Sequence, residues 1–207
     1  MPSVDDVARA LGGPLATEPA DAAVLLALAQ SPQGAQLLYI KRALTLRAHA
    51  GEWAFPGGRA EPADDAPLTT ALRETHEEVG MAPVSLDVLG HVTHFTTHYG
   101  TTIAAYAARM GPDKPYVASP DEVDEIHQIP IAHLLDPQRY ESRWIDGMQP
   151  DRRVHYWHLD PGTMWGITGE LTARFLERVW KWQPSSPPTV INDPSQFRPQ
   201  RIPPRAL

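Results

Sequence analysis

The chain of 207 residues is long enough for one sizeable hydrophobic core, whereas two full domains would be a tight fit. Its 42% hydrophobic and 21% charged residues are ordinary proportions for a soluble globular protein and argue against extensive disorder. The net charge of −7, with no dense run of lysine or arginine, argues against sequence-independent binding to a nucleic acid backbone. The absence of cysteine excludes a disulfide framework, a thiolate zinc site and a cysteine nucleophile.

The first residues, MPSVDDVARALGG, are acidic and lack a basic region followed by an apolar run, so they are not typical of a signal peptide. The longest apolar stretch, DAAVLLALA, is far shorter than a membrane span. We therefore expect a cytoplasmic protein that binds neither a membrane nor a nucleic acid.

Three elements are predicted in the first part of the chain. Ser3 and Asp6 have the spacing of a capping box and predict a short helix that ends near Leu11. Two strand-like apolar runs, residues 22–29 and 35–42, flank the turn-forming sequence QSPQG. This pattern predicts a β-hairpin.

The middle of the chain combines a loop, a helix and two strands. Residues 52–58 end in the loop sequence FPGG. Helical spacing of the apolar residues predicts a helix over about 66–79, and Gly80 is placed to end it. Residues 85–97 and 101–110 are strand candidates.

The last part of the chain is more varied. Residues 120–136 combine an acidic loop with a short apolar turn, and residues 152–159 alternate like a strand. Residues 164–182 have the pattern of an amphipathic helix. The order of these elements predicts an α/β protein with a mixed sheet.

The predicted organisation is one domain followed by a tail. The domain covers residues 1–183, of which residues 1–20 form the N-terminal helix and its lead-in. Residues 184–207 are rich in proline and are predicted to form an arm or tail.

The predicted helix over 66–79 carries an unusual concentration of acid. Glu74, Glu77 and Glu78 lie within a sector about 100° wide, next to Arg73 and away from the apolar stripe. Clustered carboxylates without a neighbouring lysine suit Mg²⁺ or Mn²⁺, while the alternative is a solvated acidic face. The preceding glycines favour the first interpretation, because glycine lets the backbone approach an ion or a phosphate closely.

The whole stretch 57–81, GGRAEPADDAPLTTALRETHEEVGM, resembles the Nudix box, in which a Gly-rich loop precedes Arg-Glu-x-x-Glu-Glu-x-Gly on a helix. The resemblance implies a Nudix-type α/β/α sandwich and hydrolysis of a diphosphate that joins a nucleoside to a further group. It also implies a Mg²⁺ or Mn²⁺ cofactor held by the catalytic carboxylates Glu74, Glu77 and Glu78, with the Gly58 carbonyl as a further ligand. Arg73 would orient these carboxylates.

Two positions depart from the usual box. The interval from Gly58 to Arg73 is one residue longer, and Asp64 or Asp65 replaces the usual glutamate. Thr75 replaces an aliphatic residue. The longer loop leaves open how the start of the helix is anchored.

The general base that activates water has three candidates. Glu77 is one, and Glu122 and Glu125 of the acidic segment SPDEVDEI are the others, because several Nudix families take the base from a distant loop. The alternative for that segment is an acidic cluster that caps a helix.

A second pattern lies upstream of the box. Arg42, Arg47, Phe55, Gly57 and Gly58 fit the spacing of a signature found in coenzyme A pyrophosphatases of the Nudix family. This resemblance implies that they bind substrate and that the products are 3′,5′-ADP and 4′-phosphopantetheine. Arginine suits bidentate capture of the 3′-phosphate of coenzyme A.

Other functions stay open at this stage. The same box would serve a hydrolase of ADP-ribose, NADH or dinucleoside polyphosphates, and a nucleotide-binding regulator is a further alternative. A homodimer is expected by analogy with the family. His91, His94 and His98 would alternate faces on a regular strand, which argues against a zinc site there.

Overall fold

The computed structural model describes residues 1–111, 116–145, 153–160, 162–185, 187–193 and 196. The chain divides into two compact units, Met1–Ala132 and His133–Leu207. The predicted domain boundary at residue 183 therefore stays a prediction, and most of the predicted tail lies outside the described residues.

The elements follow one another in a mixed order of helices and strands. The described helices are α1 Val4–Leu11, α2 Pro67–Val79, α3 Ile131–Leu134 and α4 Gly166–Trp180. The described strands are β1 Ala22–Ser31, β2 Gly34–Arg42, β3 Trp53–Ala54, β4 Gly57–Arg59, β5 Leu86–Thr96, β6 Thr102–Met110, β7 Val123–Pro130, β8 Tyr140–Ile145, β9 Arg153–Leu159, β10 Gly162–Met164 and β11 Thr189–Ile191. No helix among the described residues is long and apolar enough to cross a bilayer.

The first unit is built on one mixed sheet. Strands β1 and β2 form the predicted antiparallel hairpin, while β1 pairs with β6 in parallel and β6 pairs with β5 antiparallel. The short strand β4 also pairs with the start of β1. This pairing holds the Gly-rich loop against the centre of the sheet.

Strands β1 and β2 are buried on both faces of this sheet. On one face Ala23, Leu25 and Ala27 of β1 share a core with Ala71 and Val79 of α2. The alternate residues of β1 and β2 are equally inaccessible, among them Leu26, Leu28, Leu37 and Tyr39. A sheet buried on both faces explains why these strands are continuous apolar runs rather than alternating ones.

The predicted helices and hairpins are confirmed. Ser3 and Asp6 form the capping box of α1, since Ser3 Oγ accepts from the Asp6 amide and the Asp6 carboxylate accepts from the Ser3 amide. Helix α2 begins at Pro67, a favourable first position, and Gly80 ends it in a left-handed conformation.

The prediction of a loop over much of residues 120–136 is wrong. Residues 123–130 form β7, which pairs with β2 from Gln36 to Arg42. The local sequence is polar and does not alternate cleanly, so the ladder with β2 decides its conformation.

The second unit contains a smaller sheet of β10, β9, β8 and β11. Strand β9 and helix α4 were predicted, but β8 and β11 were not. Strand β11 has only three residues and pairs in parallel with β8, a contact between distant segments that leaves no local pattern.

Candidate active site

Helix α2 directs its carboxylates away from the core. Ala71 and Val79 are buried in the core of the first unit. Thr75 is buried as well, and its hydroxyl donates to the Ala71 carbonyl. The carboxylate of Glu78 instead turns towards the Gly-rich loop, where the amide of Gly57 donates to Oε2 at 2.9 Å. The unusual polar residue at position 75 is thus satisfied within the helix.

Glu78 is the most buried acid of this region, with only 2% of its surface exposed. Burial raises the pKa of Glu78 to about 8, while the Gly57 amide and the charge of Arg42 favour the ionised form. Arg42 Nη1 lies 3.7 Å from Glu78 Oε1. The site therefore holds a carboxyl that lacks full compensation for its negative charge.

Gly57 and Gly58 are required by close packing. Gly57 has a φ of +153°, and a Cβ there would overlap with the Ala23 carbonyl of β1. A Cβ on Gly58 would overlap with the carboxylate of Glu74. The absence of side chains lets the loop pack against β1 at Gly57 and against the Glu74 carboxylate at Gly58.

Arg73 holds several oxygen acceptors together. Its Nη1 donates to Glu74 at 3.1 Å and to Glu77 at 3.0 Å, and its Nη2 also donates to the Arg59 carbonyl. Glu74 is half-buried, and desolvation raises its pKa although Arg73 opposes that shift. The predicted role of Arg73 as the residue that orients the carboxylates agrees with these contacts.

Asp64, and not Asp65, anchors Arg73. The Asp64 carboxylate accepts from Arg73 Nε at 3.1 Å and from Nη2 at 3.0 Å, and it also accepts from Thr70. Hydrogen bonds from Arg73 hold the pKa of Asp64 well below its usual range, and those to Asp64 raise the pKa of Arg73. Asp65 instead accepts from the Thr69 hydroxyl at the start of α2.

The sequence left these two aspartates unresolved. The spacing did contain a signal that favours Asp64. Asp64 is three residues after Glu61, the spacing of a turn, and its carboxylate accepts from the Glu61 amide. Arg73 and Asp64 are nine residues apart, a separation that only the folded loop brings together.

Of the two distant candidates for the base, Glu122 lies near the acidic helix and Glu125 is engaged elsewhere. The amides of Val117 and Ser119 donate to the carbonyls of Val79 and Glu78, which fixes this loop on the end of α2. The charge of Glu122 raises the pKa of Glu78. Glu125 instead forms an ion pair with Lys41 at 3.3 Å and a hydrogen bond with His127 at 2.7 Å.

The predicted substrate-binding residues have different surroundings. Arg42 lies beside Glu78, whereas Arg47 is exposed in the loop that follows β2 and has no ion pair among the described residues. The Phe55 ring is buried and stacks on Tyr39 with ring centroids 4.6 Å apart. The side chain of Phe55 therefore belongs to the core, so any contact of this residue with a ligand would come from its backbone.

The residues around α2 fit a divalent cation. They are hard oxygen donors, they include the carboxyl of Glu78, whose pKa is raised by burial, and Gly58 lets the Glu74 carboxylate lie against the backbone of the loop. Within the part of the chain that the structure describes, no three acidic or histidine side chains already converge on one point. In the structure, Arg73 neutralises Glu74 and Glu77.

Comparison with known proteins agrees with this geometry. A family model described as the NUDIX domain matches residues 19–147. The protein named Uncharacterized Nudix hydrolase NudL from Cronobacter sakazakii is 37% identical over 158 residues, which cover 76% of this chain and 82% of the relative. NudL from Escherichia coli (strain K12) is 35% identical over the same length and with the same coverage.

A solved structure shows the same fold. The crystal structure of a MutT/nudix family protein from Enterococcus faecalis has a TM-score of 0.51 and 18% sequence identity, and the match covers 82% of this chain and 65% of that one. The predicted Nudix-type α/β fold is thus confirmed. From the family match and the two relatives, we conclude that this chain belongs to the Nudix hydrolase family.

Proposed function

We propose that this Nudix hydrolase cleaves the diphosphate linkage of coenzyme A or its derivatives, with Mg²⁺ or Mn²⁺, to give 3′,5′-ADP and 4′-phosphopantetheine. The observation that carries the proposal is the position of Arg42, which lies 3.7 Å from Glu78 at the end of β2. An arginine of the coenzyme A-type signature thus lies next to an acid of helix α2. A diphosphate bound at that helix would be within reach of Arg42.

Glu74, Glu77 and Glu78, with the Gly58 carbonyl, would hold the divalent cation. Bound there, such a cation would neutralise phosphate oxygens and lower the pKa of a water molecule. Arg73 keeps Glu74 and Glu77 in position through its hydrogen bonds, and Asp64 keeps Arg73 in position.

We assign the general base to Glu122 in preference to Glu77 and Glu125. The Glu122 side chain is exposed, has no ion pair among the described residues, and is close enough to the acids of α2 to raise their pKa values. Glu77 is engaged by Arg73, and Glu125 by Lys41 and His127. An unengaged carboxylate at the edge of the site is free to accept the proton of the attacking water.

The two arginines have separate roles in this proposal. Arg42 stands next to Glu78 and would contact the diphosphate, whereas the exposed Arg47 is available for the 3′-phosphate. Hydrolysis of coenzyme A and of 3′-dephospho-coenzyme A separates them. Arg47→Ala should raise KM for coenzyme A about tenfold and leave 3′-dephospho-coenzyme A unaffected, because only the former carries that phosphate.

The decisive experiment is a substrate comparison with Mg²⁺ and with Mn²⁺. Coenzyme A, acetyl-coenzyme A, ADP-ribose, NADH and a dinucleoside polyphosphate are incubated with the purified chain, and the products are separated chromatographically. We expect 3′,5′-ADP from coenzyme A at the highest kcat/KM. Cleavage of ADP-ribose with no cleavage of coenzyme A would overturn the substrate assignment, and Arg9→Ala, at an exposed arginine of α1, is the control for Arg47→Ala.

A further inference from the structure

Two histidines of β5 meet although a regular strand would separate them. The ladder between β5 and β6 pairs His91 with Tyr106 and Thr93 with Ala105, so β5 contains one extra residue at this point. This bulge brings His91 and His94 to the same face, with His91 Nε2 3.1 Å from His94 Nδ1. The expectation that these two histidines alternate faces is therefore wrong.

The hydrogen bonds of His94 determine which of its nitrogens carries a lone pair. His94 Nε2 lies 3.2 Å from the backbone carbonyl of Glu18, which can only accept. The proton of the neutral ring is thus on Nε2, and Nδ1 presents its lone pair towards His91. A histidine that donates its other nitrogen to a backbone carbonyl is oriented in the manner of a metal ligand.

The separation of the two nitrogens also suits a metal ion. Imidazole nitrogens about 2.0–2.1 Å from a tetrahedral zinc ion are about 3.3 Å from each other, close to the observed 3.1 Å. A carboxylate also lies beside the pair, since Glu18 Oε2 is 3.7 Å from His94 Nδ1. The Glu18 side chain is 80% exposed, so it can turn towards the pair without disturbing the core.

We propose that His91 Nε2, His94 Nδ1 and the Glu18 carboxylate bind a transition-metal ion of the zinc class, at a site separate from the acidic helix. In the structure His91 Nε2 donates to His94 Nδ1, so the metal ion would replace this shared proton while His91 takes its other tautomer. The exposed Glu18 carboxylate would turn in as the third ligand. Imidazole nitrogen favours zinc, copper and nickel over magnesium, so the two sites would select different ions.

A metal ion in this position would link the segment before β1, which contains Glu18, to strand β5 of the sheet. The segment before β1 already contacts the sheet through the Tyr106 hydroxyl, which donates to the Ala16 carbonyl, and through Asp21, whose carbonyl accepts from the Ala60 amide. Ala60 directly follows β4, which carries Gly57 and Gly58. The metal would therefore act as a structural clip next to the loop of the acidic helix.

The test is calorimetric titration of the full chain with Zn²⁺ in excess Mg²⁺, which keeps the hard oxygen site filled with the hard cation. We expect one Zn²⁺ per chain and an X-ray absorption spectrum with two imidazole ligands. His91→Ala and His94→Ala should each weaken the zinc affinity at least about tenfold. His98→Ala is the matched control, because His98 lies on the same hairpin and its ring contacts that of Tyr99 instead.

The proposal fails if no Zn²⁺ binds in excess Mg²⁺, or if His91→Ala and His94→Ala bind it as tightly as the unchanged chain. Glu18→Gln should weaken binding by a smaller factor, and an unchanged affinity would overturn the carboxylate assignment. Circular dichroism establishes that each variant is folded. Should an alanine variant not fold, His91→Gln and His94→Gln retain side-chain volume and give the same comparison.

Discussion

Glu78 in the first unit and His155 in the second are both buried titratable residues, and burial acts on them in opposite directions. Burial raises the pKa of the Glu78 carboxyl to about 8 and lowers that of the His155 imidazole to about 4, because in each case it disfavours the charged form. A perturbed pKa is thus common to both regions. Their surroundings differ.

His155 is surrounded by aromatic rings, and its Nδ1 has a hydrogen-bond partner. The Tyr140 hydroxyl lies 2.8 Å from His155 Nδ1, and the rings of Trp157 and Trp182 lie within about 6 Å. A cavity of about 380 Å³ adjoins His155, but the nearest acid there, Glu170, is paired with Arg174. Glu78, by contrast, interacts with the Gly57 amide and with the charges of Arg42, Glu74 and Glu122. Several charged groups near one buried carboxyl, rather than burial alone, distinguish the candidate active site.

The strongest test of this contrast compares one acid from each region. Glu78→Gln should reduce kcat on the order of a hundredfold or more, because it removes the negative charge of a buried metal ligand while keeping the Gly57 hydrogen bond available. Glu170→Gln should leave kcat within about twofold, since the partners of Glu170 are Arg174 and His155 rather than the acids of α2. Steady-state hydrolysis of coenzyme A measures both. Equal losses in the two variants would refute the distinction.

The pH dependence of unfolding should report on His155. Because its folded-state pKa of about 4 lies below the ordinary value of 6.5, the unfolded chain takes up a proton first as the pH falls. The contribution of His155 to stability is complete above pH 6.5 and is lost between pH 6.5 and 4, by about 3 kcal/mol in the limit.

Urea unfolding over this pH range measures that loss. Comparison with His155→Gln isolates the histidine from the carboxylates that also titrate in acid. The difference in unfolding free energy between the two chains should shrink as the pH falls through this window. His133→Gln, at an exposed histidine of the same unit, is the control substitution. A difference that does not change with pH would show that burial does not lower the pKa of His155.

Gly58→Ala tests whether the space beside Glu74 is needed. A Cβ there overlaps with the Glu74 carboxylate, so the acid must move, and we expect kcat/KM to fall by about tenfold to a hundredfold. Gly13→Ala is the matched control, because a Cβ at Gly13 meets no atom within 4 Å. Full activity in Gly58→Ala would mean that the position of Glu74 is not critical.

The smallest effect is expected at the anchor of Arg73. Asp64→Asn keeps the shape of the side chain but removes the charge that pairs with Arg73, which should lower kcat by about tenfold through less precise positioning of the carboxylates. Asp65→Asn should change kcat less than twofold, because Asp65 contacts Thr69. Equal kinetic effects of the two substitutions would remove the distinction between these aspartates.

Many helices and strands of the first unit were predictable from the sequence, because local patterns of apolar and turn-forming residues specify them. Two apolar runs and the turn between them identified the hairpin of β1 and β2, and helical spacing together with Gly80 gave the length of α2 closely. Strand β7 was missed because its polar sequence is held by β2, and β11 because it pairs with a distant strand. Local propensity is weak in such segments, and tertiary pairing decides them.

The sequence by itself determined the acids of α2, the glycines before them and the arginine beside them, because their spacing is that of a single helix and its adjoining loop. Only the tertiary structure decided that Asp64 rather than Asp65 anchors Arg73, that Glu122 rather than Glu125 lies near the acids, and that His91 meets His94. These choices depend on how a loop closes, how two strands are paired and where one bulge falls. Such tertiary arrangements leave no signal in the local order of the amino acids.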